Sequence, residues 1–281
     1  MMGTTLCIST NSQFGLSNEE QIVLFQKAGF DGFFTMWDKQ VARYKELADE
    51  LGMVYQSIHA PYLNAAKMWQ EGDTAEEAVA ELLACVEDCA KLQVPLLVVH
   101  AYIGFGKSAG PTEAGIRNFQ RVVDAAVEKK VKIAFENTEG EEYLAALMDA
   151  FKECPWVGFC WDTGHELCVN DGKDMMALYG YRLMGLHLND SLGVRDKTWT
   201  DDLHLLPFDG IADWEGVVDK LNFYGFHGCL SFELNTVSKP GRHENDKYQK
   251  MPLEEYLAEA YARACRVAAL KKRRSICQKK R

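Results

Sequence analysis

"WVGFCWDTGHE", residues 156–166, decides how the chain is read. An apolar run from Val157 to Trp161 ends in an acid, Asp162, and His165 follows three residues later. A strand with one wet face would alternate apolar and polar side chains. A short run that is apolar almost throughout marks instead a strand covered on both faces, as in a parallel sheet flanked by helices. Taken alone, Asp162 reads as the cap of the next helix and His165 as an ordinary loop histidine.

Seven more stretches have the same character: "TTLCIST" (4–10), "GFFTMW" (32–37), "MVYQSIH" (53–59), "VPLLVVH" (94–100), "VKIAFEN" (131–137), "RLMGLHLND" (182–190) and "GCLSFELN" (228–235). Helix-period segments lie between them. "NEEQIVLFQKAGF" (18–30) has Asn18 as its expected cap and Gly29 near its end. "TAEEAVAELLACVEDCAKLQ" (74–93) opens with Thr74 and Glu77 at capping-box spacing. "TEAGIRNFQRVVDAAVEKK" (112–130) and "PLEEYLAEAYARACRVAALKKRR" (252–274) are equally amphipathic. Eight strands alternating with helices predict a single α/β domain, a (β/α)8 TIM barrel over residues 1–270, followed by a basic C-terminal tail, 271–281. A doubly wound sheet is the alternative architecture.

The 281 residues suit one such barrel, and 47% apolar residues supply a large core. The last eleven residues hold seven of the 31 basic groups and no acid, so the first 270 set 24 basic against 41 acidic groups, a charge of −17. An acidic body is a poor general surface for a phosphate backbone, and the tail reads as a solvated helix end. No apolar run reaches the ~18 residues of a membrane span. The opening "MMGTTLCIST" has neither a basic segment nor a long apolar one, so no signal peptide is expected. Nine cysteines without a C-x-x-C pair read as reduced thiols of a cytoplasmic protein. Two connections are long, 60–73 and 190–212, and both follow strand C-terminal ends, the active face of a barrel. Their apolar residues also suit pairing into a homo-oligomer.

The strand ends carry the chemistry. Strand three ends in His59, strand four in His100, strand five in Glu136 and strand six in Asp162; strand seven carries His187 and strand eight Glu233. His, Asp and Glu fill 48 of 281 positions, so with two candidate positions per strand six such hits in a row arise by chance roughly once in a thousand on a barrel. A site explains them better than six separate caps. Glu136, Asp162, His187 and Glu233 offer three carboxylates and one imidazole, a set suited to Mn2+, Mg2+ or Co2+ and tolerant of Zn2+. Strands five and eight stand across the mouth from each other, so Glu136 and Glu233 could flank a chelated substrate as general base and acid.

In this order, "HAPYLN" (59–64), "FEN" (135–137), "WDTGH" (161–165), "GLHLND" (185–190), "DLHLLPFDGIADW" (202–214) and "FEL" (232–234) resemble the xylose-isomerase-like superfamily of TIM barrels. It contains sugar isomerases and epimerases, inosose dehydratase and endonuclease IV. Most small-molecule members carry Gly-Glu-Gly after the proline, where this chain has Phe208-Asp209-Gly210. The resemblance to ketose 3-epimerases implies one metal on Glu136, Asp162, His187 and Glu233, proton exchange by Glu136 and Glu233, and substrate contacts from His165 and, at altered spacing, Arg195. His59, His100, Asn137 and His204 would line the substrate.

The resemblance to endonuclease IV implies another centre. All nine of its ligand types occur in order: His59, His100, Glu136, Asp162, His165, His187, Asp202, His204 and Glu233. That set would hold up to three Zn2+ and act on DNA. The expectation is therefore a divalent-metal-dependent isomerase or epimerase of a small sugar, ketose or sugar phosphate, working through an enediolate held by the metal. The alternatives are an abasic-site endonuclease and an inosose-type dehydratase.

Overall fold

The computed structural model describes residues 4–104 and 109–278. In chain order its strands are β1 (Leu6–Ser9), β2 (Gly32–Met36), β3 (Val54–His59), β4 (Leu96–His100), β5 (Lys132–Glu136), β6 (Val157–Asp162), β7 (Leu183–His187) and β8 (Leu230–Phe232). The helices are α1 (Asn18–Ala28), α2 (Val41–Leu51), α3 (Asp73–Leu92), α4 (Glu113–Lys129), α5 (Glu141–Ala150), α6 (Thr163–Cys168), α7 (Met175–Tyr179), α8 (Trp214–Phe223), α9 (Asp246–Gln249) and α10 (Leu253–Gln278). All eight expected strands form, pair in parallel, and follow the order β8-β1-β2-β3-β4-β5-β6-β7. The ring closes just past β7. There the Leu188 N–H donates to Ser231 at 2.8 Å and the Glu233 N–H donates to Leu188 at 3.1 Å. The fold is a single (β/α)8 barrel.

Strand parity explains why the chemistry sits inside. On β6, Val157, Phe159 and Trp161 join the core between sheet and helices, whereas Cys160 packs within the barrel on Leu96, Val98 and Ala134. Asp162 has the parity of Cys160 and so points into the mouth. The same count sends Glu136, beyond Ala134, and His100, beyond Val98, inward. Register then sets these residues side by side: His100 pairs with Glu136 and Asp162 with His187.

Two expected caps move. Helix α1 is capped by Ser17, whose side chain exchanges hydrogen bonds with Glu20 in a capping box; Asn18 is already its first residue. Helix α3 starts at Asp73 behind Gly72, so Thr74 lies inside the first turn and the Thr74/Glu77 box does not form. Thr112 caps α4 as a side-chain acceptor. Helix α10 passes residue 270 without a break. Lys271 donates to the Phe226 carbonyl at 2.9 Å, and Arg274 reaches Asp219 at 2.6 Å and Glu215 at 2.7 Å. The early part of the basic segment is thus docked on α8, and residues 279–281 lie outside the described residues. Eight cysteines are free thiols, as expected; the side chain of Cys277 lies outside the described residues. Among the described residues no helix is long and apolar enough to cross a membrane.

Asp190 ties together the two ends of the 190–212 connection. Asp190 accepts from Ser191, Phe208 and Ala212 N–H groups and from the Trp214 indole, each at 2.9 Å. A Cβ on Gly210 would stand 2.2 Å from Asp190 Oδ1, so glycine is required there. Phe208 adopts φ +75°, the left-handed region that glycine fills more easily. Its ring lies 3.7 Å beneath Arg266 and 5.5 Å from Trp214, contacts that a glycine could not make.

Candidate metal centre at the barrel mouth

The floor of the mouth is Glu136, buried at the tip of β5. His59 Nε2 lies 3.2 Å and His100 Nε2 3.3 Å from its Oε2. His165 Nδ1 and His187 Nδ1 lie 3.2 Å and 3.1 Å from its Oε1. His187 Nδ1 is also 3.1 Å from Glu233 Oε2, so carboxylates from opposite sides of the barrel converge on one imidazole nitrogen. Glu233 sits one residue past β8 and is 23% exposed toward the cavity.

Asp162 does two jobs. Its Oδ1 caps α6 by accepting the His165 N–H at 2.6 Å, while Asn189 Nδ2 donates to Oδ2 at 2.9 Å. The Asp162 backbone is clamped by Asn137, which accepts its N–H at 2.7 Å and donates to its carbonyl at 2.8 Å. Thr163 ties the start of α6 to Asn189 in both directions, at 2.7 and 3.0 Å. This approach needs Gly164, since a Cβ there would fall 1.8 Å from Asn189 Oδ1.

Beside the floor stands a second cluster. His204 Nε2 lies 2.9 Å from Asp202 Oδ1 and His165 Nε2 lies 3.5 Å from it. His204 has φ +48°, an uncommon backbone for a residue with a side chain. The geometry groups potential ligands three ways, each within 4.8 Å: Glu136/Asp162/His187/Glu233, His59/Glu136/His187 and His165/Asp202/His204. His165 bridges floor and second cluster with its two nitrogens.

The residues present fit a divalent cation. Glu136 Oε1, His187 Nδ1, His165 Nδ1 and Asp202 Oδ1 are buried and make no hydrogen bond among the described residues. His59 Nδ1 faces the Ala60 carbonyl at 2.7 Å and so carries the ring hydrogen, leaving the Nε2 lone pair aimed at a carboxylate oxygen. A lone pair facing an anion is relieved by a proton on that nitrogen or by a bound cation between the two groups.

The electrostatics agree. Burial opposes ionisation of Glu136, yet His187, His100 and His165 hold its carboxyl well below the usual range. Burial is likewise overcome at Glu233, which His187 and His204 bring down to about 2. Asp162 goes the other way: burial, with Glu136 and Glu233 nearby, raises it to about 6. At partly buried His204 the effect of burial is outweighed by Asp202 and Glu233, which raise it to about 9. His100 is lowered by burial. His165 and His187 are raised by the carboxylates around them, and with His204 they bring to the mouth positive charge of the kind a cation would supply.

A cavity of about 440 Å³ opens above this floor. Of the expected site residues, His59, His100, Glu136, His165, Asp202, His204 and Glu233 line it. Asp162 and His187 sit beneath. Asn137 faces Asp162 and Asn170, so its amide braces the centre. Arg195 is not brought in: its side chain is 59% exposed beside Asp196. The expectation missed Tyr62, whose ring stacks on His100 at 5.1 Å, and also Trp199 and Lys239 on the rim.

A parallel eight-stranded barrel with histidines and carboxylates gathered at its C-terminal mouth is a metal-competent TIM barrel. The chain belongs to the xylose isomerase-like TIM barrel family, whose model matches residues 22–262. It is 31% identical over 159 residues to the uncharacterised protein y4fM of Sinorhizobium fredii, covering 53% of this chain and 49% of that one. It is 31% identical over 158 residues to a probable endonuclease 4 of Methanoculleus marisnigri, covering 48% and 55%. The match spans about half the length of these relatives. Solved structures with the same fold include an L-ribulose 3-epimerase (TM-score 0.74, 14% identity, 98% of each chain). The IOLI protein with a bound zinc atom has a TM-score of 0.75 at 17% identity, covering 94% of this chain and 98% of that one.

Proposed function

We propose that this chain is a divalent-metal-dependent isomerase or epimerase of a small sugar, ketose or sugar phosphate. The convergence of Glu136 and Glu233 on His187 Nδ1, each at 3.1 Å, carries the reading. A bound divalent ion would supply Lewis acidity, polarising a substrate carbonyl and making the adjacent C–H more acidic. Glu233 is ionised and partly open to the cavity, which suits a group that takes a proton from carbon. Glu136, on the far side, would hold or return that proton. Tyr62 and Trp199 wall the cavity and limit water. The enclosed volume suits a sugar-sized molecule, and Lys239 is the one lysine or arginine among its described lining residues, a poor grip for a duplex.

The test is solvent-deuterium incorporation into a panel of ketoses and ketose phosphates with Mn2+, Co2+, Mg2+ or Zn2+. Incorporation should vanish in Glu136→Gln and Glu233→Gln at matched metal content. Absence of exchange with every ketose and metal would sink the reading.

A second reading rests on the His165/Asp202/His204 cluster and on the endonuclease 4 relatives. With three ions the mouth would suit hydrolysis of a phosphodiester at an abasic site. Incision of an abasic oligonucleotide that a chelator stops would support it. A metal-edge anomalous map separates the two readings, one ion supporting the first and three the second.

A further inference from the structure

The rim carries a charge that neither cluster uses. Lys239 lies on the connection after β8, and its side chain is only 16% exposed. Its ammonium sits 5.3 Å over the Trp199 ring and 3.8 Å from Asp202 Oδ2. The latter distance is too long for a hydrogen bond. Asp202 Oδ2 is in any case engaged by His204 Nε2 at 3.0 Å. The backbone that presents Lys239 is fixed three residues on. Arg242, 2% exposed, meets Asp201, 1% exposed, at 3.0 Å, and Asp201 also accepts the backbone N–H groups of Arg195, Asp196 and Lys197. One buried pair thus joins the rim connections that carry Trp199 and Lys239.

Resting on the isomerase reading, we propose that Lys239 is the receptor for a phosphoryl group at the substrate end remote from Glu136 and Glu233. The protein would then act on a sugar phosphate in preference to the free sugar. The chemistry is direct. The ammonium of this mostly buried side chain presents three donors, and its ion-pair partner among the described residues, Asp202, stands at 3.8 Å, beyond hydrogen-bond reach. A phosphoryl group offers three strong acceptors and the opposite charge. Trp199 keeps the ammonium over the cavity through its ring face.

The experiment uses the full chain loaded with Mn2+, as wild type, Lys239→Gln and Lys239→Arg. Calorimetric titration with inorganic phosphate, fructose and fructose 6-phosphate gives the affinities. Phosphate should bind the wild type, and Lys239→Gln should weaken it by roughly ten- to a hundredfold, the usual worth of a charged hydrogen bond. The preference for fructose 6-phosphate over fructose should fall by the same factor, and Lys239→Arg should recover most of it. Phosphate held at the metal itself is common to all three proteins and cancels in the comparison. Equal phosphate affinity in wild type and Lys239→Gln overturns the proposal, as does a wild type that binds no phosphate. Binding is scored without turnover. A Lys239-dependent phosphate site with no deuterium exchange in any ketose would leave this site standing and remove the isomerase reading.

Discussion

Asp162→Asn should stabilise the metal-free protein while weakening its metal binding. Asp162 is fully buried, and its pKa rises from an ordinary 3.8 to about 6. Folding therefore works against its ionised form. Below pH 3.8 the group is neutral in both states and costs nothing. The cost grows between pH 3.8 and 6 and is complete above 6. A shift of this size corresponds to about 3 kcal/mol, or about 5 °C in Tm for a chain of this length. Asparagine keeps an oxygen to accept the His165 N–H, and the Asn189 amide, whose Oδ1 has no partner, can turn to accept from the new side chain. The assay is chemical denaturation of chelator-treated wild type and variant at pH 4 and pH 8. The variant should be about 3 kcal/mol more stable at pH 8 and nearly equal at pH 4. Added Mn2+ should reverse the order, because binding stabilises the native state by mass action and the variant lacks one ligand. A variant that is less stable at pH 8 without metal, or equally stabilised at both pH values, would refute the assignment of buried charge to Asp162.

Gly164→Ala should cost about 1–3 kcal/mol and lower metal affinity, since its methyl would displace Asn189 from Asp162; denaturation and metal titration read the two effects separately. Arg242→Met should cost about 3 kcal/mol by leaving Asp201 without its cation, and limited proteolysis should then cut within 190–212. Metal affinity at the His165/Asp202/His204 cluster should strengthen as pH rises toward 9, because His204 is raised to about 9 and must shed its proton to become a ligand; chelator-competition titrations at pH 6.5, 7.5 and 8.5 check this, and a second-ion affinity that stays flat would contradict it.

What the sequence shows plainly is whatever repeats with the barrel. His100, Glu136, Asp162 and His187 end strands whose apolar character is unmistakable, and their inward direction follows from parity alone. Helix starts are less legible because several residues near each start can cap. Ser17 wins over Asn18 through its reciprocal bonds with Glu20, a choice made by backbone geometry. The rim is harder still. Lys239 and Arg242 lie in "NTVSKPGRHEND", which has no periodicity and no strand end to mark it. Their positions depend on Asp201, about forty residues away in sequence. Arg195 shows the converse error: a charged residue in a suitable loop faces solvent because that loop spends its backbone N–H groups on Asp201. Asn137 follows a catalytic-looking strand end, but its amide is consumed in holding Asp162.

His165 decides how many ions the mouth takes, and its two nitrogens allow the question to be put chemically. Nδ1 lies 3.2 Å from Glu136 and Nε2 3.5 Å from Asp202. Glutamine places a polar atom near the position of Nε2, and asparagine near that of Nδ1. If His165 serves a second ion through Nε2, either substitution removes an imidazole ligand, and the metal content of the purified protein falls by one. Glutamine should then retain more of the remaining affinity than asparagine. If His165 only contacts substrate above a single ion, both variants keep one equivalent of metal, and the loss appears in turnover. The three carboxylates of the floor already supply enough charge for one divalent ion, whereas Asp202 alone among the second cluster is an acid. A second ion there would depend more on His165 than the first depends on any one histidine. Elemental analysis of His165→Gln and His165→Asn beside the wild type therefore tests that dependence, and an unchanged stoichiometry from a multi-ion wild type would refute it.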